Sequence, residues 1–79
     1  MRRKYTEKDY EFLKKLGNRI RELREQTDLS QAALEIDSKM SKNQIGRIER
    51  GEISTSVATL NLIAKALQVD IQSFFDFEG

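Results

Sequence analysis

A group of basic, amide and glycine residues lies between positions 42 and 50 of the sequence. At the spacing of an α-helix, one face free of acidic residues comprises Lys42, Asn43, Gly46, Arg47 and Arg50. Lysine and arginine side chains can bond to guanine O6 and N7 in a major groove, and asparagine can pair with adenine N6 and N7. Gly46 would let such a helix approach closely. The pattern favours a helix that reads base edges over an ordinary solvated polar face.

The residues around this group predict the helix that carries it and a second helix that crosses it. Ser41 is a good N-cap for a helix over 42–50, and Gly51 can take the left-handed conformation that ends it. Ser30 caps a preceding helix that runs to about Asp37. Since only four residues separate the two helices, they must cross at a steep angle. Neither can bury its apolar face alone, so both must pack against other helices.

Three further helices are predicted to support this pair. The spacing of Thr6 and Asp9 indicates a capping box at the start of a first helix, whose apolar stripe comprises Leu13, Leu16, Ile20 and Leu23. Ser56 caps a fourth helix with the apolar stripe Leu60, Ile63, Ala64 and Leu67. Asp70 caps a short fifth helix, in which Phe74 is a core residue. No segment alternates with a period of two, so the predicted fold is an all-α, compact five-helix bundle.

The residue types that are missing restrict the chemistry. The chain has 79 residues, enough for one domain, and it contains no Cys and no His. This excludes disulfides, thiolate nucleophiles, imidazole-based triads, and zinc or iron–sulfur sites built on those ligands. The carboxylates have no catalytic partner and there is no glycine-rich phosphate loop, so we expect no enzyme activity, no metal and no cofactor.

Charges of opposite sign are separated along the chain, although the formal net charge is only +1. Residues 1–24 contain nine Lys or Arg against four Asp or Glu, and residues 39–51 contain four against one. The segments 25–38 and 52–79 are acidic, at −4 and −3. Two basic blocks separated by acidic ones indicate a surface with one positive side.

The sequence contains no signal for a membrane. No segment approaches the ~20 apolar residues of a membrane span. The basic start at 1–4 has the form of a signal peptide, but Lys8, Asp9 and Glu11 follow where an apolar stretch is required. We therefore expect a cytoplasmic protein of bacterial or phage type, with no membrane partner.

Several runs of the sequence carry a resemblance to a known family. The runs 29–31 (LSQ), 40–41 (MS) and 45–52 (IGRIERGE) resemble the helix-turn-helix domain of phage repressors and Cro-like regulators. The upstream run LGNRIRELRE also fits the first helix of that family, and the resemblance covers roughly residues 13–75. It implies a lambda-repressor-like DNA-binding domain over 9–77, with the helix-turn-helix core at 30–50.

The resemblance also implies roles for individual residues. The third helix would be the recognition helix, with base contacts from Lys42, Asn43, Arg47 and, at the border, Gln44. Phosphate contacts would come from Gln31, Ser41, Arg50, Arg24 and Lys39. Arg24 and Glu49 match a buried arginine–carboxylate pair that joins the first helix to the third.

Three residues depart from the pattern of the family. Position 35 is usually small, and Glu35 implies either slightly splayed helices or a carboxylate that reaches the edge of the bundle. Position 39 is often glycine, and Lys39 would be strained in a left-handed backbone. In the loop, Thr55 stands where the family often has proline.

The two ends of the chain suggest further contacts. Residues 1–8 form a basic arm that either follows DNA phosphates or is a solvated terminus. A two-fold interface is expected at Ile71, Phe75 and Phe77, formed by Phe75 or Phe77 with Ile71 or Val69; the competing interpretation is that these residues complete the small core. A symmetric dimer would place two recognition helices about 34 Å apart, one turn of a palindromic operator.

The expected function is therefore sequence-specific binding of double-stranded DNA by a small homodimer that regulates transcription. Short chains of this kind include phage repressors, restriction–modification controllers and antitoxin-type regulators, and the sequence does not choose among them. The alternative is an antitoxin-type or docking module that keeps the fold but binds a protein partner. With no sensor domain in 79 residues, no small-molecule ligand is expected.

Overall fold

The computed structural model describes residues 4–77, and all regular secondary structure in that range is helical. The elements are α1 (Glu7–Gln26), α2 (Gln31–Asp37), α3 (Gln44–Glu49), α4 (Val57–Leu67) and a 3-10 helix (Ile71–Phe75). The predicted all-α class is confirmed. The fifth element is a 3-10 helix of five residues, a form that proteins use in short pieces. Within residues 4–77, none of the helices combines the length and the apolar character needed to cross a membrane.

The N-terminus of α1 is the predicted capping box. Thr6 Oγ1 accepts a hydrogen bond from the Asp9 N–H (3.3 Å), and Asp9 Oδ2 accepts one from the Thr6 N–H (2.8 Å). The helix begins at Glu7, so the last two residues of the predicted basic arm lie in α1. Lys4 of that arm is exposed, while Arg2 and Arg3 lie outside the described residues.

Serine hydroxyls cap α2 and α4, as predicted. Ser30 Oγ accepts a hydrogen bond from the Ala33 N–H, and Ser56 Oγ accepts one from the Thr59 N–H, both at 3.0 Å. Caps of this kind each stabilise a helix by about 1 kcal/mol. The two helices therefore begin where local side-chain chemistry places them.

The start of α3 differs from the prediction. Ser41 is not its N-cap, because the helix begins only at Gln44, after Asn43 has taken the left-handed conformation (φ 70). The Gln44 N–H bonds to the Ser41 carbonyl at 3.2 Å and closes a turn. Asparagine visits this backbone region more readily than most residues. Lys42 and Asn43 consequently lie in the turn and not in the helix.

The end of α3 is the predicted glycine turn. Gly51 is left-handed (φ 72), and its N–H bonds to the Ile48 carbonyl at 3.0 Å. The Glu52 N–H bonds to the Arg47 carbonyl at 2.9 Å, which completes a Schellman motif. A Cβ at position 51 would lie 2.7 Å from the backbone of Lys14, so glycine also allows the chain to pass close to α1.

The hydrophobic core joins all five elements. Its fully buried side chains include Ile20, Leu34, Ile45, Ile63 and Phe74, one from each element. The α3 helix packs against α1 and α2, α2 also packs against α4, and the 3-10 helix packs against α1 and α4. The apolar stripes predicted for α1 and α4 face this core, although Leu13 is only half-buried. One face of α3 remains directed outward.

Candidate nucleic-acid interface

A buried ion pair joins α1 to the end of α3. Arg24 Nε donates to Glu49 Oε2 at 2.6 Å, and Arg24 Nη2 donates to Glu49 Oε1 at 3.1 Å. The side chains are nearly enclosed, at 11% exposed for Arg24 and 2% for Glu49. The hydrogen bond to Glu49 raises the pKa of Arg24 against the opposing effect of burial. A bidentate pair in such surroundings holds the two helices at a defined angle.

Two neighbours complete the bonding of this pair. Gln31 Nε2 donates to Glu49 Oε1 at 2.9 Å, and Arg24 Nη1 donates to the Leu29 carbonyl at 2.9 Å. Because Gln31 is the first residue of α2, side chains from three helices meet at Glu49. Within residues 4–77, Arg24 uses three of the five N–H donors that a guanidinium carries, which leaves two.

Gly46 is not on an open surface, contrary to the prediction. It is buried, and a Cβ there would lie 3.0 Å from Arg50 Nη1 and 3.2 Å from Gln31 Oε1. The missing side chain therefore makes room for Gln31 and Arg50. A helical wheel of α3 alone cannot show a side chain of α2 that covers its outer face.

Arg50, an expected phosphate contact, is paired with an acid. Its Nε donates to Glu52 Oε2 at 2.6 Å on the exposed surface. This hydrogen bond lowers the pKa of the Glu52 carboxyl and raises the pKa of Arg50. The positive charge of Arg50 is therefore partly offset in the free protein.

Arg21 is a basic residue at this site that the sequence analysis missed. It lines a shallow pocket of about 240 Å³ together with Arg24, Gln31, Glu49 and Arg50. Its Nε lies 3.3 Å from Glu25 Oε2, and its side chain is more than half exposed. Residues three apart on a helix share a face, so the spacing from Arg24 is the signal that identifies it.

Glu35 provides the side-chain bond at the start of α3 that the sequence analysis assigned to Ser41. Glu35 Oε2 accepts a hydrogen bond from the Ile45 N–H at 3.2 Å. Glu35 is buried, at 8% exposed, so its carboxylate does not reach the edge of the bundle. The N-cap residue Asn43 makes no side-chain capping bond itself. A residue of α2 thus satisfies an otherwise unpaired N–H of α3.

The turn between α2 and α3 contains two left-handed residues, Lys39 (φ 58) and Asn43 (φ 70). Lys39 has the conformation that the sequence analysis expected to be strained. Its N–H bonds to the Ile36 carbonyl at 3.2 Å, and the Met40 N–H bonds to the Glu35 carbonyl at 2.8 Å. These bonds form a second Schellman motif, which holds the backbone left-handed although the residue is a lysine.

The expected base-contacting residues lie on the turn and on the outer face of α3. Lys42, Asn43 and Arg47 are exposed, and Gln44 is half-buried. Within residues 4–77, the side chains of the three exposed residues form no hydrogen bond to the protein. Two of the expected phosphate contacts, Ser41 and Lys39, are exposed in the same turn. The structure thus presents a basic, hydrogen-bonding surface to solvent.

A second surface is formed by aromatic residues of α1 and of the C-terminal segment. Phe12 and Phe75 are 47% and 45% exposed, and the ring centroids of Phe12 and Phe77 are 5.6 Å apart. Phe12 and Phe75 border an apolar groove of about 170 Å³, lined further by Leu13, Leu16, Ile48, Ile53 and Leu60. Of the expected dimer residues, Phe75 is therefore exposed, while Ile71 and Phe77 are partly buried against the core.

Comparisons with known proteins agree with this geometry. A family model described as a helix-turn-helix domain matches residues 15–73. The restriction-modification controller protein C.AhdI from Aeromonas hydrophila is similar, with TM-score 0.78 and 35% identity over 80% of this chain and 96% of that one. An HTH_3 family transcriptional regulator from Vibrio cholerae has TM-score 0.79 and 37% identity to this chain. The match covers 85% of this chain and 38% of that regulator. None of the curated proteins matches the chain.

Proposed function

Because the chain belongs to the helix-turn-helix family of phage repressors and Cro-like regulators, we propose that it is a sequence-specific DNA-binding regulator of transcription. The proposed active species is a homodimer on a palindromic operator. The observation that carries the proposal is the exposed group Lys42, Asn43 and Arg47, whose side chains form no hydrogen bond within residues 4–77.

In the proposed complex, the turn before α3 and the outer face of α3 enter the major groove. Lys42 and Arg47 donate to guanine O6 and N7, and Asn43 pairs with adenine N6 and N7. Gln44 reaches a base or a phosphate at the border. Because Lys42 and Asn43 lie in the turn, the N-terminal end of α3 leads into the groove, as is usual for recognition helices.

Backbone phosphates are proposed to bind where α1, α2 and α3 meet. Glu49 holds Gln31 and Arg24 at this junction, and Arg24 has two N–H donors that no residue of 4–77 uses. Arg50 exchanges Glu52 for a phosphate oxygen in the complex. Ser41 and Lys39 of the turn complete the proposed contacts. These groups position the chain on the duplex without reading its sequence.

The proposed dimer uses the C-terminal aromatic segment. Phe75 is nearly half exposed beside the apolar groove, and Ile71 and Phe77 belong to the same segment. A two-fold axis at this patch lets Phe75 of each copy enter the groove of the other, since the same surface serves both copies. Two α3 helices then lie about 34 Å apart, which matches one turn of DNA.

Selection of bound duplexes from random-sequence DNA tests the proposal. We expect enrichment of a palindrome whose half-sites are about ten base pairs apart, centre to centre. Arg47→Ala is the matched control, because the exposed side chain can be removed without disturbing the core. Equal binding of all duplexes by the wild-type chain would overturn the proposed sequence specificity. Failure to bind any duplex at low salt would overturn DNA binding and favour docking to a protein partner.

A further inference from the structure

We propose that Glu35 is a positioning residue for base recognition, which acts by holding the first turn of α3. The proposal rests on the proposed DNA-binding function and adds to it a residue that does not touch DNA. The carboxylate is buried at the α2–α3 junction and accepts the Ile45 N–H at 3.2 Å. Ile45 is the second residue of α3, directly after Gln44 and two residues after Asn43.

Within residues 4–77, the bond from Glu35 is the side-chain hydrogen bond at the start of α3, where the backbone bond from the Gln44 N–H to Ser41 and the burial of Ile45 also hold the chain. The helix has six residues, and helices this short have little stability of their own. Its N-cap, Asn43, is left-handed and makes no side-chain capping bond. Glu35 therefore supplies from α2 the cap that the local sequence lacks. An anionic acceptor is favoured at a helix N-terminus, because the unpaired N–H groups there carry partial positive charge.

Glu35 also bonds to the other end of the turn. Its backbone carbonyl accepts the Met40 N–H at 2.8 Å, while its side chain accepts the Ile45 N–H. Residues 41–43 lie between these two bonds and include Lys42 and Asn43. One residue thus holds both ends of the segment that carries two of the proposed base contacts.

The burial of the carboxylate gives a reason to assign it a role. Removing a charged group from water is unfavourable unless hydrogen bonds compensate. Here a single backbone N–H is the partner within residues 4–77. The usual small residue at this position of the family would avoid that cost. The gain that we assign to Glu35 is a defined orientation of the turn, and not a larger free energy of unfolding.

The test compares Glu35→Gln with Glu35→Met. Glutamine keeps an acceptor oxygen, whereas methionine keeps the length and apolar stem but offers no comparable acceptor. Both variants lose one negative charge, so the long-range attraction to DNA changes equally in both. Should Glu35→Met fail to fold, Glu35→Ala gives the same comparison with the small residue usual in the family.

The first measurement is amide hydrogen exchange at Ile45 in the free protein. Exchange is expected to be about fivefold faster in Glu35→Met than in Glu35→Gln, the factor that loss of a helix cap produces. Equal exchange in the two variants would overturn the capping role. Because no DNA is present, this result is independent of the proposed function.

The second measurement is the ratio of dissociation constants for a scrambled duplex and for the duplex that the wild-type chain selects. This ratio is expected to be about fivefold to tenfold smaller in Glu35→Met than in Glu35→Gln, at one salt concentration. A merely structural role would lower the folded fraction and weaken both duplexes alike, so an equal ratio overturns the proposal. A wild-type chain that selects no duplex overturns the proposed function, and this proposal with it.

Discussion

The α-carbon of Gly17 in α1 faces the carbonyl oxygen of Ile48 in α3 so closely that no side chain fits between them. A Cβ on Gly17 would also lie 2.5 Å from the Glu49 carbonyl oxygen. The two helices therefore touch through their backbones at Glu49, whose side chain bonds to Arg24 further along α1. This contact sets how deeply α3 sits against α1, and hence how far its outer face projects.

Gly17→Ala is expected to destabilise the fold by about 1–3 kcal/mol, because the new methyl group must push two backbones apart. Helix propensity alone predicts the opposite sign, since alanine is favoured over glycine by about 1 kcal/mol. Chemical denaturation measures the difference. Asn18→Ala, at the exposed next position, is the control and should be neutral or stabilising. An equal free energy of unfolding for Gly17→Ala and wild type would show that the two backbones can move apart at little cost.

The parts of the fold that could be predicted are those that nearby residues decide. The capping box joins Thr6 and Asp9, which are three positions apart, and the left-handed turn at Gly51 depends on one residue without a side chain. The apolar stripes of α1 and α4 likewise repeat within each helix. Such features are local, so the sequence shows them without knowledge of the packing.

The parts that were missed depend on contacts between helices. Glu35 and Ile45 are ten positions apart, and nothing in the local pattern indicates that one caps the helix of the other. Gln31 covers Gly46 from a different helix, for the same reason. At the candidate interface, the residue types could be predicted, but the start of the helix that presents them could not.

Arg47→Ala is expected to reduce discrimination at one base position by about 1–3 kcal/mol, because a bidentate contact to guanine is lost. The matched control is Arg21→Ala, which removes an exposed arginine that we expect to face only phosphates. That control should weaken all duplexes alike and reduce the salt slope by about one. Binding curves for single-base variants of the selected duplex make the comparison. An equal loss on every duplex for Arg47→Ala would reassign this residue to the backbone.

Lys39→Gly is expected to stabilise the chain by about 0.5–1 kcal/mol, since glycine adopts a left-handed backbone without steric cost. The same change should weaken DNA binding, because Lys39 is a proposed phosphate contact. Gln68→Gly is the control, as Gln68 is also exposed and left-handed (φ 60) but ends α4. It should stabilise the chain and leave binding unchanged. Thermal unfolding and duplex titration separate the two effects, and unchanged binding by Lys39→Gly would remove Lys39 from the interface.

The Glu52 carboxyl should titrate below its ordinary pKa of 4.5, because Arg50 Nε donates a hydrogen bond to it at 2.6 Å. Because folding lowers the pKa of the Glu52 carboxyl, the pair stabilises the folded chain above pH 4.5. This stabilisation is lost as the pH falls through the pKa that the carboxyl has in the folded chain. Side-chain carboxyl shifts followed by NMR measure the midpoint. In Arg50→Gln the midpoint should return to the ordinary range. A wild-type midpoint at or above 4.5 would show that the pair does not persist in solution.

Phe75→Gln is expected to weaken the proposed dimer while leaving the monomer folded, because nearly half of this side chain is exposed. Each copy would lose about 1.5 kcal/mol of apolar burial, so the dimer dissociation constant should rise about 100-fold. Sedimentation equilibrium measures it. Val57→Gln, which alters an apolar side chain that is 73% exposed and does not line the groove, is the control. If the Phe75 and Val57 variants sediment alike, the interface lies elsewhere. If only the Phe75 variant dissociates, that variant should also bind the two half-sites of a palindrome independently.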